Sequence, residues 1–261
     1  MTIPYSLQRA AANAVEATSI LQDPAVLRAA NKPQLRRYEV SSLLPGGAIS
    51  ETRHIAPALP LFEDAFCAFS RGSLVETASG PVAVEDLLPG DEILTSGGGS
   101  QPLVWIGRTS LLPARPGSRG RSHRLTSFMA DSLGLQKPSA SLVAGPAARL
   151  LRTPPHLQGS GKGPLLTPAA AFQDGMSIFE TAPPTPVDMY HLCLPRHAVI
   201  NAGGLEFETY HPGPDALKLA SYAIKTLFLN MFSHADSVRD FGPLAYPRAD
   251  GQGGSAGGPL L

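Results

Sequence analysis

The chain has 261 residues, of which 43% are apolar and 16% are charged, and its formal net charge is zero. This length and apolar content are enough to bury a sizeable core, which excludes disorder throughout. Lysine and arginine are scattered rather than gathered into a stripe, so the charge pattern favours neither nucleic acid nor an anionic membrane as a partner. The 26 glycines and 26 prolines predict many short elements joined by turns.

The N-terminus and the cysteines bear on the compartment. The start, "MTIPYSLQRAAANAVEATSIL", has no apolar region behind a basic end, and no run of eighteen apolar residues occurs anywhere. Cys67 and Cys193 form neither a metal-ligand spacing nor a disulfide framework. We therefore expect a reduced, soluble chain without a transmembrane segment, either cytoplasmic or exported without a standard signal peptide.

The first 65 residues are weakly patterned. The run "SLQRAAANAVEATSILQ" favours a helix. Prolines then break the rest into short pieces, since each one removes a backbone donor: Pro24, Pro33, Pro45, Pro57 and Pro60. We interpret residues 1–65 as an N-terminal extension that is only partly ordered.

Further along, apolar and polar residues alternate in short runs. The stretch "GPVAVEDLLPGDEILT" predicts a strand, one helical turn, a type II turn at Pro89-Gly90 and a second strand. Glycine suits position 90 because a type II turn needs a positive φ there. The segment "PLVWIGR" predicts another strand, with Trp105 as an anchor in the core.

The second half of the patterned region also predicts mainly strands. A short helix is expected before the strands "SLVAG" and "ARLLR", and a helical turn around Ala169 to Phe172. The segment "VDMYHLCLPRHAVINAGGLEFETYHPG" predicts two strands in a hairpin-like return that turns at Gly203-Gly204.

The C-terminal part predicts one helix and a tail. In "PDALKLASYAIKTLFLNMF", apolar residues recur at helical spacing, which predicts an amphipathic helix over residues 215–232 with Asp215 as its N-cap. We assign residues 214–247 to this helical extension. Residues 248–261 are glycine-rich and low in complexity, and we expect them to be a disordered tail.

Three segments together resemble a known family: "FSRGSLVETASGPVAVEDLLPGDEILTSGGGSQPLVWIG", "LLRTPPHL" and "YHLCLPRHAVINAGGLEFETYHPG". They resemble the Hint (Hedgehog/intein) superfamily, and most closely the bacterial Hint-domain proteins outside the classical inteins. The resemblance covers residues 66–213. It implies an all-β, horseshoe-like fold whose two ends meet at the site, with self-processing chemistry in active members.

The resemblance implies roles for four residues. In an N-to-S acyl shift, a thiol attacks the preceding carbonyl while an acid protonates the amide nitrogen. By resemblance, Cys67 is the nucleophile, and the family's Thr-x-x-His box makes Thr153 the orienting hydroxyl and His156 the acid. His197 matches a family position near the site. The residues alone leave other interpretations open: "TPPH" is typical of a proline-rich loop, and His197 could be a strand-edge histidine bonded to backbone.

The exact position of Cys67 leaves two interpretations open. Five residues separate it from Ser73, which fits the count in Hedgehog proteins. The usual bacterial pattern, Cys-Phe-x-x-Gly-Thr, instead places Ala68 at the cysteine position. Because a slip of one residue in a strand turns a side chain to the opposite face, either a bulge restores Cys67 or the nucleophile has been lost.

Functions from different classes therefore remain open. The first is self-processing by cleavage at Phe66-Cys67, with the chain's own N-terminal segment as substrate. Full splicing is not expected, because His211-Pro212 stands where inteins end in His-Asn. The second is a catalytically silent module that binds a protein partner or has a structural role. Metal-dependent hydrolysis has less support, since the seven histidines include no His-x-His or His-Glu-x-x-His spacing. No cofactor, metal, nucleic acid or membrane is expected.

Overall fold

The computed structural model describes residues 34–113, 124–154 and 163–249, and nearly all of its regular structure is antiparallel β-sheet. Its strands, in chain order, are β1 (Leu35–Leu43), β2 (Ile49–Pro57), β3 (Phe69–Ser70), β4 (Leu74–Thr77), β5 (Gly80–Ala83), β6 (Glu92–Leu94), β7 (Ser100–Pro102), β8 (Trp105–Leu111), β9 (Leu125–Phe128), β10 (Leu142–Ala144), β11 (Arg149–Leu151), β12 (Leu166–Pro168), β13 (Ile178–Thr181), β14 (Val187–Cys193), β15 (Val199–Ala202) and β16 (Leu205–Glu208).

The strands form two sheets. The first sheet has the order β13-β9-β10-β3-β14-β8-β1-β2. The second has the order β12-β11-β16-β15-β4-β6-β7, and β5 pairs with β4 beside this path. The predicted all-β fold is confirmed. None of the described helices is both long and apolar enough to cross a membrane.

Helices are short among the described residues. They are α1 (Pro60–Glu63), α2 (Tyr222–Leu229) and three 3-10 turns, Val84–Asp86, Ala169–Phe172 and Val238–Phe241. The predicted turns after β5 and around Ala169 to Phe172 are confirmed. The turn at Pro89-Gly90 also forms, because the Asp91 amide donates to the Leu88 carbonyl at 3.0 Å and Gly90 has φ +104°.

The C-terminal helix is shorter than predicted. It begins after Ser221, whose hydroxyl accepts a hydrogen bond from the Ile224 amide at 3.4 Å, so Asp215 is not its cap. Residues 214–219 form turns instead, and Leu219 is 94% exposed. The apolar residues at helical spacing therefore extend beyond both ends of the helix that forms.

The prediction of a short helix before β10 is wrong. The residues between β9 and β10 form turns and bends, and Asp131 and Gln136 have φ of +60° and +56°. A right-handed helix needs negative φ at every residue, so the chain cannot be helical there.

The N-terminal extension contains a hairpin, although its prolines predict short broken pieces. β1 and β2 pair over nine residues each, from Leu35 opposite Pro57 to Leu43 opposite Ile49, and β1 also pairs with β8. Pro45 lies in the turn and Pro57 closes β2, so neither interrupts the paired region. The expectation of short broken pieces is therefore wrong for residues 35–57, while the helix predicted nearer the N-terminus lies outside the described residues.

Two apolar clusters lie on opposite sides of the first sheet. The inner cluster, between the two sheets, includes Ala68, Phe69, Phe128, Leu192, Ile200 and Phe207. The outer cluster joins the hairpin, α1, α2 and the chain after α2, and it includes Tyr38, Phe62, Phe66, Cys67, Trp105, Phe228, Phe232 and Phe241. The predicted anchor Trp105 is fully buried in the outer cluster, where its indole donates to the Met231 carbonyl at 2.7 Å.

Candidate functional site

Cys67 lies in the short connection between α1 and β3. The helix ends at Glu63, the Phe66 amide donates to the Glu63 carbonyl at 3.0 Å, and the chain then enters β3. The Cys67 side chain is completely buried in the outer cluster. The cysteine therefore occupies an apolar position rather than a cleft.

Cys67 and Ala68 face different surroundings. Cys67 packs in the outer cluster, while Ala68, also fully buried, packs in the inner cluster between the sheets. The Ala68 amide donates to the Tyr190 carbonyl at 3.0 Å, so this part of the chain lies against β14. The side chains of these two successive residues thus enter different clusters, which separates the thiol from the position at which the family pattern has its cysteine.

The surroundings of Cys67 keep its thiol protonated. Burial raises the pKa of Cys67 well above its usual value, and the negative charge of Glu63 raises it further, while Arg36 opposes them in part. Arg36 and Glu63 form an ion pair at 3.2 Å, with side chains only 12% and 6% exposed. Since the thiolate is the nucleophile, Cys67 is poorly activated in this state.

The loop opposite Cys67 supplies backbone groups. The carbonyls of Cys67 and Ala68 accept hydrogen bonds from the amides of Ala147 and Gly145, at 3.1 Å and 2.8 Å. The loop packs so closely that a Cβ atom on Gly145 would collide with the Cys67 carbonyl oxygen. Its sequence, Gly-Pro-Ala-Ala over residues 145–148, contains no side chain that could donate or accept a proton.

The predicted Thr-x-x-His box lies after β11. Thr153 is half-buried, and its hydroxyl is 3.5 Å from the Gly163 carbonyl oxygen. β11 belongs to the second sheet, where it pairs with β12 and β16, whereas Cys67 leads into β3 of the first sheet. His156 lies outside the described residues, so the role of the box stays a prediction.

His197 contacts charged groups and the C-terminal part of the chain. Its Nδ1 accepts a hydrogen bond from the Ala245 amide at 2.9 Å, which leaves Nε2 to donate to Glu208 Oε1 at 3.0 Å. Arg248 donates to the same carboxylate oxygen through Nε at 3.0 Å and Nη2 at 2.7 Å. Arg149 pairs with Glu208 Oε2 at 3.5 Å. His197 thus positions the chain after α2, in a polar network centred on Glu208.

The charge state of Glu208 follows from this network. Burial alone would raise the pKa of Glu208, but the hydrogen bond from His197 and the charge of Arg248 outweigh burial and hold the pKa below its usual value. The carboxylate is therefore ionised at neutral pH although it is only 4% exposed. Sequence reasoning missed this network, because its partners Glu208 and Arg248 lie 40 residues apart, one in a strand and one in the supposed tail.

Two further histidines are buried and neutral. Burial lowers the pKa of His191 to about 3 and that of His211 to about 4. The His211 ring donates to the Gly242 carbonyl at 2.9 Å and accepts from the Gly213 amide at 2.9 Å. Cys193, interpreted from its alternation in the strand as a packing residue, is buried in the outer cluster.

A family model described as a Hint domain matches residues 67–214, more than half of the sequence. The chain belongs to this Hint domain family. No curated protein matches it.

Solved intein structures are also similar. A bacterial intein-like domain from Clostridium thermocellum is 12% identical with a TM-score of 0.38, and the match covers 55% of this chain and 99% of that one. The gp41-1 intein is 10% identical with a TM-score of 0.34, covering 55% and 98%. The splicing domain of the Msm DnaB1 intein, solved with zinc bound, is 18% identical with a TM-score of 0.33, covering 55% and 100%.

Proposed function

We propose that this protein is a catalytically silent Hint-fold module, which keeps its Phe66–Cys67 peptide bond and acts by binding or by a structural role. The observation that carries the proposal is the placement of the Cys67 side chain. It is fully buried in the outer cluster, whereas the neighbouring Ala68 packs in the inner one. The interpretation in which the nucleophile has been lost fits this arrangement better than a bulge that restores it.

The chemical requirements of an acyl shift support the same conclusion. The reaction needs an activated thiol and an acid that protonates the leaving nitrogen. The Cys67 thiol has a raised pKa, and the loop at residues 145–148 offers only backbone and apolar groups. Self-processing at this bond would therefore depend on the predicted Thr153 and His156 box to supply all the acid catalysis.

The segment before Cys67 is built into the sheet, unlike a segment that cleavage would release. β1 pairs with β8, so residues 35–43 form part of the first sheet. An ion pair on the surface also joins the two strands, from Glu39 of β1 to Arg108 of β8 at 3.6 Å. A cleaved N-terminal fragment would stay bound through these contacts, which supports a structural rather than a releasable segment.

Intact-mass spectrometry tests the proposal directly. The purified chain is incubated with dithiothreitol or hydroxylamine, both of which attack thioesters, and the expected result is one species of 27.4 kDa. Fragments of 66 and 195 residues (261 − 66 = 195) would overturn the proposal and establish self-processing. Cys67→Ala is the matched control, because it must abolish any cleavage that uses this thiol, while Cys193→Ala must leave such cleavage unchanged.

A further inference from the structure

The segment of residues 242–249, here called the strap, ends beside β12 at the edge of the second sheet. β12 pairs with β11 on one side, and the strap takes the other. The Leu166 amide donates to the Pro247 carbonyl at 2.9 Å, and the Ala249 amide donates to the Leu166 carbonyl at 3.0 Å. These are the hydrogen bonds by which an extended peptide adds to a sheet edge.

One charged side chain holds the strap in place. Arg248 is 9% exposed, donates twice to Glu208 Oε1, and also donates from Nη2 to the His211 carbonyl at 2.7 Å. The guanidinium therefore uses three hydrogen bonds, two of them to a charged acceptor. Such charge-assisted bonds to a planar fork distinguish arginine from lysine.

No residue of the strap is fully buried. Each residue from 242 to 249 is exposed or half-buried, including Leu244 and Tyr246. Two further polar contacts involve backbone groups of the strap: the Ala245 amide donates to His197 at 2.9 Å, and the Gly242 carbonyl accepts from the His211 ring at 2.9 Å. Main-chain bonds and one arginine, rather than a packed core, thus account for the attachment, as in a docked peptide.

We propose that the β12 edge, together with Glu208 and His197, forms a binding site for an extended peptide segment that carries arginine, and that the strap is its resident occupant. The partner is a segment of another protein that presents arginine to Glu208 and free backbone groups to Leu166. This inference rests on the proposed binding role of the module. It is independent of cleavage, since intact mass reports the state of the Phe66–Cys67 bond on the same sample.

A fluorescent peptide with the strap sequence, GPLAYPRA, tests the site in trans. In the wild-type chain the strap competes as a tethered ligand, at an effective concentration on the order of millimolar. Arg248→Ala removes the anchor of that competitor and leaves the site intact. By fluorescence anisotropy, we expect the Arg248→Ala chain to bind the peptide at least about tenfold more tightly than the wild type does.

Two controls test whether the binding is specific. A peptide with alanine in place of its arginine should bind the Arg248→Ala chain at least about tenfold more weakly, because Glu208 loses its partner. Arg239→Ala removes an exposed arginine close to the strap, and this chain should bind like the wild type. Equal binding of both peptides to the Arg248→Ala chain, or binding of neither, would overturn the proposal.

Hydrogen exchange of the wild-type chain gives a second, mutation-free test, which decides the matter if circular dichroism shows that Arg248→Ala is unfolded. A displaceable strap opens locally, so the amides of Leu166, Ala245 and Ala249 should exchange at least about tenfold faster than those paired between β8 and β14. Equal protection of the two sets would show that the strap is a fixed part of the sheet.

Discussion

The buried positions of Cys67 and His197 differ in what surrounds them. Cys67 packs among apolar side chains beside one ion pair, and its backbone meets a loop of glycine, proline and alanine. His197 contacts an ionised carboxylate, which two arginines also contact. A buried network of charged side chains thus holds the C-terminal part of the chain. The Phe66–Cys67 peptide bond, by contrast, lies mainly among apolar side chains.

The largest effect should come from breaking the network around Glu208. Glu208→Gln leaves Arg149 and Arg248 without their shared negative charge, and removing one member of a buried charge pair costs about 3–5 kcal/mol. Chemical denaturation should show a loss at the lower end of this range, because Arg248 can move into water with the strap. Glu206→Gln, on an exposed residue of the same strand, should change stability by less than about 0.5 kcal/mol. Equal losses in the two variants would contradict the importance of the network.

The neutral buried histidines predict a dependence on pH. His191 has a folded pKa of about 3, below its unfolded value of about 6.5, so the unfolded chain binds a proton that the folded chain does not. Stability should therefore fall as pH drops below about 6.5, by up to about 1.4 kcal/mol per pH unit from this residue. His191→Gln should reduce the slope of unfolding free energy against pH between 6 and 4. An unchanged slope would show that His191 is not the source.

Local signals predicted local structure well. The turn at Pro89-Gly90 and the 3-10 turn at Ala169–Phe172 depend on neighbouring residues, and both form as expected. The β1–β2 hairpin was missed because prolines weaken a strand prediction, yet Pro45 and Pro57 stand where the paired strands end. Proline excludes an interior hydrogen bond, and its position relative to the partner strand cannot be known from sequence.

Long-range contacts limited the prediction of the site. The one-residue displacement between Cys67 and Ala68 is visible in the sequence, and the period of two in a strand predicts the opposite faces that they occupy. Glu208 gave no comparable signal. It follows Glu206 at a spacing that predicts an exposed position for both, whereas in the fold His197, Arg149 and Arg248 of the strap surround the Glu208 carboxylate. Arg248 was assigned to the tail expected to be disordered, and its contact with Glu208 was therefore missed. In the fold, the Ala249 amide still donates to the Leu166 carbonyl.

A smaller effect is expected when the thiol itself is removed. Cys67→Ala deletes one buried sulfur atom from an apolar cluster, which should lower the free energy of unfolding by about 1 kcal/mol. Cys193→Ala makes the same change at another buried position of that cluster and should cost about as much. Denaturant titration of both variants measures this. A much larger loss for Cys67→Ala alone would indicate that the thiol has a role beyond packing.

No cleavage is expected when the thiol is moved by one residue, from the outer cluster to the inner one. The double change Cys67→Ala with Ala68→Cys places sulfur in the inner cluster, next to the bond between residues 67 and 68. That amide is held at both ends by ordinary hydrogen bonds, with its carbonyl to Ala147 and its N–H to Tyr190. The adjacent loop has no group that could protonate its nitrogen, so intact mass should show an uncleaved chain even with hydroxylamine. Thiol-dependent cleavage before residue 68 would instead show that the acid survives elsewhere, with the predicted His156 as the first residue to replace, and that only the nucleophile has been lost.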